Sequence, residues 1–139
     1  MDHDLPIIDA HQHFWDLGLG RHPWLCGDEQ IPFRYGDYSA LKERNYLPAD
    51  YIQDTEGFNV VKSIYMEAEW DPADPLGETA WVMGLHEHTG FPHAVIGQAW
   101  FLANDIEAVL AGQAACPLMR SIRQKPVAAP SPDTFQPGM

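Results

Sequence analysis

The sequence predicts an α/β fold: a parallel sheet of about four strands with flanking helices, in a single domain. Two observations predict it. Short β-branched and aromatic runs alternate with stretches that carry helix start and stop signals, and that alternation implies parallel strands joined by helical crossovers. Polar residues also gather where those runs end: His11 and His13, Glu67 and Glu69, Gln98, and Arg123. Parallel sheets carry their chemistry at the C-terminal ends of the strands, so the two observations support each other.

The first strand is expected over residues 7–15, Ile7 to Trp15, as a buried strand. Alternation along it places Ile7, Asp9, His11, His13 and Trp15 on one face. Imidazoles two residues apart on an extended chain can close on one ion, whereas on a helix they would stand about 200° apart. His11 and His13 are therefore candidate metal ligands, with Asp9 as a hydrogen-bond partner rather than a ligand.

Residues 16–47 form a long segment rich in Gly and Pro, with Trp24, Phe33, Tyr35 and Tyr38 among them. Loops of this length are commonly functional, and its aromatics argue for order. It is expected to lie over one end of the fold, with a short helical piece near residues 39–44. Over residues 48–124 the βα units follow. A helix begins at Pro48 and a strand spans residues 59–70. Asp74 and Pro75 open a helix with an apolar stripe of Ala80, Trp81, Gly84 and Leu85, ended by Gly90. A strand spans residues 93–101. Asn104 with Glu107 reads as a capping box, opening a helix that buries Ile106, Val109, Leu110 and Ala114. The last strand spans residues 118–124, and residues 125–139 read as a Pro-rich loop.

Composition narrows the function. Of 139 residues, 45% are hydrophobic and 20% charged, a soluble globular balance. The net charge of −12 argues against nucleic acid or an anionic membrane as partner. No apolar run is long enough for a membrane-spanning helix, and the acidic start has no basic n-region, so a cytoplasmic protein is expected. Cys26 and Cys116 are expected as reduced thiols. His86 and His88 share the His-x-His spacing but fall on a helix, where their rings point apart.

The run Asp9-Ala10-His11-Gln12-His13-Phe14-Trp15-Asp16 resembles the opening strand of the amidohydrolase superfamily. More narrowly, it resembles the branch of predicted barrel-type metal-dependent hydrolases that includes sugar-lactone and muconolactone-type lactonases. His22-Pro23-Trp24-Leu25, Glu67-Ala68-Glu69-Trp70-Asp71-Pro72 and Ile122-Arg123-Gln124 also look like that branch, in the same order.

The resemblance implies a (β/α)8 barrel, which takes about 250 residues, so this chain is expected to hold its N-terminal half. It implies a divalent ion, zinc or manganese, on His11, His13 and later ligands, though some lactonases of this branch act without metal. It implies hydrolysis of a lactone or related cyclic ester or amide by activated water. Metal-bound water has its pKa lowered from 15.7 to about 7. Arg123, Glu67, Trp24 and Gln98 are the candidate substrate contacts, Arg123 through its planar fork to a carboxylate. No catalytic base falls within this chain, because the family supplies it from later strands. The alternative is an inactive truncated fragment that acts at most as a binding or association module, with a homo-oligomer formed through the open sheet edge.

Overall fold

The structure is a computed structural model that describes residues 4–28 and 36–125. Phe33 and Tyr35 of the long loop, and the Pro-rich tail from residue 126, lie outside the described residues. Four strands form one parallel sheet in the order β1-β2-β3-β4: β1 (Ile7–Gln12), β2 (Val60–Met66), β3 (Ala94–Gln98) and β4 (Met119–Arg123). The helices are α1 (Pro23–Cys26), α2 (Pro48–Asp54), α3 (Pro75–Thr89) and α4 (Ile106–Ala114), with 3-10 turns at Leu17–Leu19 and Ser39–Lys42. The expected α/β class and four parallel strands are present, and each strand is shorter than the sequence pattern suggests. No described helix is long and apolar enough to cross a membrane.

Strand β1 departs most from expectation. It is an end strand rather than a buried one: Ile7 and Ile8 are exposed, Ile8 at 60%. It also stops at Gln12, and its register with β2 breaks between Asp9 and Gln12. The cause is local. Asp9 Oδ1 accepts the His11 backbone N–H at 3.1 Å, and Asp9 Oδ2 accepts the Tyr51 hydroxyl of α2 at 3.0 Å. Strict alternation from Ile7 to Trp15 is therefore interrupted. Trp15 instead stacks on Tyr46 with ring centroids 5.2 Å apart and pairs with it in an antiparallel bridge.

The core lies between the sheet and the helices, built from Phe14, Tyr51, Tyr65, Ala68, Val82 and Val95. Phe14 stacks on Tyr65 at 5.9 Å and meets Tyr51 edge-on at 6.1 Å. Helix α3 begins as expected, with Asp74 accepting from the Gly77 N–H, and ends at Gly90 with φ 79°. Its fully buried residues are Pro75, Glu78, Thr79 and Val82; of the expected stripe, Trp81 and Leu85 pack half-buried against the core, whereas Ala80 is exposed. Two of those buried residues, Glu78 and Thr79, are polar, and apolar periodicity does not register them. Their polar atoms go to specific partners: Glu78 Oε1 accepts from Tyr65 and the Ala68 N–H, and Thr79 Oγ1 donates to Gln113 Oε1 at 2.6 Å.

Helix α4 is capped by Asp105 without a side-chain bond, so the expected Asn104–Glu107 capping box does not form. It buries Val109 and Gln113, and Ala114 is exposed. Gln113 ties three elements together, taking the Thr79 hydroxyl and donating Nε2–H to Gln98 O at 2.9 Å.

Gly97 of β3 sits directly against this network. A Cβ there would meet Met119 Cε at 2.8 Å and Gln113 Cδ at 2.9 Å. The Met119 end can swing away, but Gln113 can retreat only by giving up its bonds. Gly97→Ala is expected to destabilise the fold by about 1–3 kcal/mol, the usual range for overpacking, read as a lower urea midpoint. An unchanged midpoint would show that this seam is loosely packed.

Candidate active-site cleft

The C-terminal strand ends and the loops after them enclose an open cleft of about 380 Å³ lined by His11, His13, Trp24, Tyr38, Leu41, Ala68, Glu69, Arg123 and Lys125. At one end, His11 Nε2 and His13 Nε2 stand 3.1 Å apart, with the rings edge-on at 81°. The irregular end of β1 thus still brings the two imidazoles together.

The His13 tautomer follows from its other nitrogen. Nδ1 lies 2.8 Å from Met66 O, and a carbonyl only accepts, so Nδ1 carries the proton. Nε2 then offers its lone pair toward His11. Burial, with the nearby His11 and Arg123 adding to it, lowers the His13 pKa to about 4, although the Met66 bond opposes the shift. His13 is neutral at pH 7, as a metal ligand must be. A separation of 3.1 Å is short enough for both nitrogens to reach a single divalent ion. Two imidazoles thus fit half of a tetrahedral site. Among the described residues no group of three or more His, Cys, Asp or Glu side chains could hold a metal ion.

The other end of the cleft carries two cations, Arg123 and Lys125, each paired with a carboxylate. Arg123 donates Nε–H to Glu67 Oε1 at 2.6 Å and Nη2–H to Glu67 O at 2.7 Å. These bonds fix the guanidinium plane and leave Nη1 without a partner among the described residues. Lys125 pairs with Glu69 at 3.1 Å. Glu69 lies just past β2 at φ 56°, a left-handed conformation that is strained for a residue with a Cβ. Its N–H donates to Glu67 Oε2, which holds it there.

The six residues singled out from sequence separate into two groups. His11, His13, Arg123 and Trp24 line the cleft, Trp24 donating its indole N–H to Ala68 O and tilting against Tyr38. Glu67 and Gln98 do not. Glu67 is 1% exposed and spent on Arg123 and the Glu69 N–H, so it positions Arg123. Gln98 is buried, donating to Trp70 O and accepting from the Trp100 indole. Strand-end position alone could not distinguish a residue facing the cleft from one turned into the packing. Tyr38 belongs to the loop aromatics noted in the sequence and does line the cleft; Leu41, in the 3-10 turn, and Lys125, just past β4, are not singled out by the sequence, because neither stands in a chemical motif. His86 and His88 bind separate carbonyls, Pro92 O and Gly84 O, as expected for a helical pair. Cys26 and Cys116 are free thiols.

Glu67→Gln is expected to destabilise the protein by about 1–2 kcal/mol, since it removes the charge from a bond to a part-buried guanidinium. Glu69→Gln, which touches a more solvated pair, should change stability by no more than about 1 kcal/mol. Thermal unfolding of both variants checks the ranking, and equal losses would contradict it.

Taken together, fold and site define a parallel α/β sheet bearing a two-histidine cleft at its C-terminal edge. That fold is shared with part of an amidohydrolase: a crystal structure from Burkholderia multivorans, described as having bound zinc, superposes with a TM-score of 0.56 at 24% identity, over 84% of this chain and 36% of that one. The sequence is also similar to the uncharacterized protein y4mH of Sinorhizobium fredii, 38% identical over 121 residues, which are 87% of this chain. The chain spans about two fifths of the length of that curated relative, 40%. No protein-family model matches the sequence.

Proposed function

We propose that this chain supplies the front half of an amidohydrolase-type active site that hydrolyses a lactone or a related cyclic ester or amide. The observation that carries the proposal is the His11–His13 pair, with facing Nε2 atoms 3.1 Å apart and a tautomer set by Met66 O, at the mouth of the cleft. The bound zinc of the Burkholderia protein supports a divalent ion, zinc or manganese, on these two side chains. Such an ion supplies an acidified water and polarises the carbonyl to be attacked.

The chain's own residues position the ion's ligand and the substrate. Met66 O holds His13 in its ligating tautomer. Arg123, braced by Glu67, presents Nη1 to a substrate carboxylate, and Trp24 with Tyr38 walls the bound ring. The remaining ligands and the base that takes the water's proton come from strands beyond β4, from a longer chain or a second copy. A cytoplasmic setting and a small-molecule substrate belong to this reading.

A second reading has its own support. The end strand β1 exposes Ile7 and Ile8, and such an edge invites pairing with another strand. On that reading the chain is an inactive association module. Calorimetric titration with zinc and mass in solution separate the two. Zinc uptake that requires both His11 and His13 supports the hydrolase reading. A self-associating chain with no zinc uptake supports the other.

A further inference from the structure

Behind the cleft, between the ends of β1 and β2 and helix α3, four buried side chains keep polar atoms with no hydrogen-bond partner among the described residues. They are both amide atoms of Gln12, both ring nitrogens of His22, Trp70 Nε1 and Glu78 Oε2. None of the four residues is more than 7% exposed. They are linked through shared neighbours. His22 meets Trp70 edge-on at 5.2 Å and Trp81 at 6.1 Å, and Trp81 follows Glu78 by one turn of α3. Gln12 lies opposite Tyr65 in the ladder, and the Tyr65 hydroxyl bonds Glu78 at 2.8 Å.

Buried polar groups left without partners forfeit the hydration they had in the unfolded chain, so such clusters are normally satisfied by something bound. The chemistry of the set selects the ligand. The Trp70 N–H and the Gln12 amide hydrogens only donate, which disfavours a cation. Gln12 Oε1 and the bare nitrogen of His22 only accept, which disfavours an anion. An apolar guest would satisfy none of them. Water both donates and accepts: it can take the Trp70 and Gln12 hydrogens and that of the protonated Glu78 carboxyl, and give its own to Gln12 Oε1 and the bare nitrogen of His22.

We infer that Gln12, His22, Trp70 and Glu78 enclose a bound-water site behind the cleft. Six unpartnered atoms, at roughly three bonds per buried water, call for about two molecules. The site has a consequence for the cleft. His22 precedes α1, whose Trp24 bonds Ala68 O, and Glu78 holds the N–H of the same Ala68. The water joins the two supports of the Ala68 peptide, which lines the cleft.

The test is independent of metal binding and of hydrolysis. Water–protein cross-relaxation is read at the indole N–H of Trp70 in ¹⁵N-labelled protein, with indole assignments from single Trp→Phe variants. A long-lived water contact at the Trp70 Nε1–H is expected in the parent protein, and its loss or marked weakening in Gln12→Leu, with no rise in the unfolding midpoint. Absence of that contact in the parent protein overturns the inference. So does a higher midpoint in Gln12→Leu with the contact unchanged, because that is how a dry, unpaired amide behaves. If Gln12→Leu does not fold, the measurement on the parent protein decides alone.

Discussion

His13→Ala is expected to weaken zinc binding by more than about 100-fold, with the fold intact. Even partners that only orient a ligand contribute 10- to 100-fold to metal affinity, and His13 is proposed as a ligand itself. Its ring is fully prepared for that role. Met66 O accepts the Nδ1–H, Nε2 bears no hydrogen and accepts from His11 Nε2–H, and burial lowers the pKa to about 4. Protons at His13 therefore do not compete with the ion above about pH 5, and at this residue affinity should be flat from pH 5 to 8. His88→Ala is the matched control. That imidazole has the same sequence spacing but bonds Gly84 O on its own helix, and its loss should leave zinc affinity unchanged. Isothermal titration of the parent protein and both variants checks this. Equal affinities in the three proteins would remove the metal from the proposal.

Glu78→Gln is expected to stabilise the protein at alkaline pH by as much as about 4 kcal/mol. Glu78 is 2% exposed, and burial pushes its pKa to about 8, the nearby Glu67 adding to the rise while the Ala68 N–H, the Tyr65 hydroxyl and Arg123 oppose it. Its folded-state pKa is raised, so between about pH 4.5 and 8 the folded protein keeps a proton that the unfolded chain releases. Stability from this group is complete below that window and falls through it by about 1.4 kcal/mol per pH unit. The histidines act in the opposite sense. His13 and His22 both have pKa values lowered to about 4, chiefly by burial, so the unfolded chain binds more protons than the folded one below pH 6.5. Their contribution is complete above 6.5 and is lost as the pH falls toward 4.

These opposing windows predict a stability maximum near pH 6.5. Glu78→Gln keeps a neutral acceptor where the carboxyl stood, removes the alkaline decline and leaves the acid decline in place. Urea unfolding from pH 4.5 to 8.5 reads both limbs. An alkaline limb of the same slope in the variant would show that Glu78 is ionised in the folded protein at neutral pH.

The class of fold was legible because hydrophobic patterning and turn chemistry act locally. Pro75 after Asp74, Gly90 at its left-handed position, and the β-branched run of β2 each act within a few residues of themselves, and each reads correctly. The His-x-His pair was legible for the same reason: two residues on an extended chain stay close whatever surrounds them. Glu67 and Gln98 show where that reading stops. Both stand at strand ends, and only the assembled sheet, with β4 beside β3 and β3 beside β2, turns Glu67 to Arg123, 56 positions away, and Gln98 to Trp70 O.

By itself, then, the sequence determined a parallel α/β sheet with two histidines close together where its first strand ends, because backbone propensity and short sequence separation are properties of neighbours along the chain. Only the tertiary structure decided which polar residues face the cleft, that β1 is an exposed end strand, and that a carboxyl and two histidines have their pKa values displaced. Burial, and the electrostatics that follow from it, are set by residues far apart in sequence, and no local pattern carries that information.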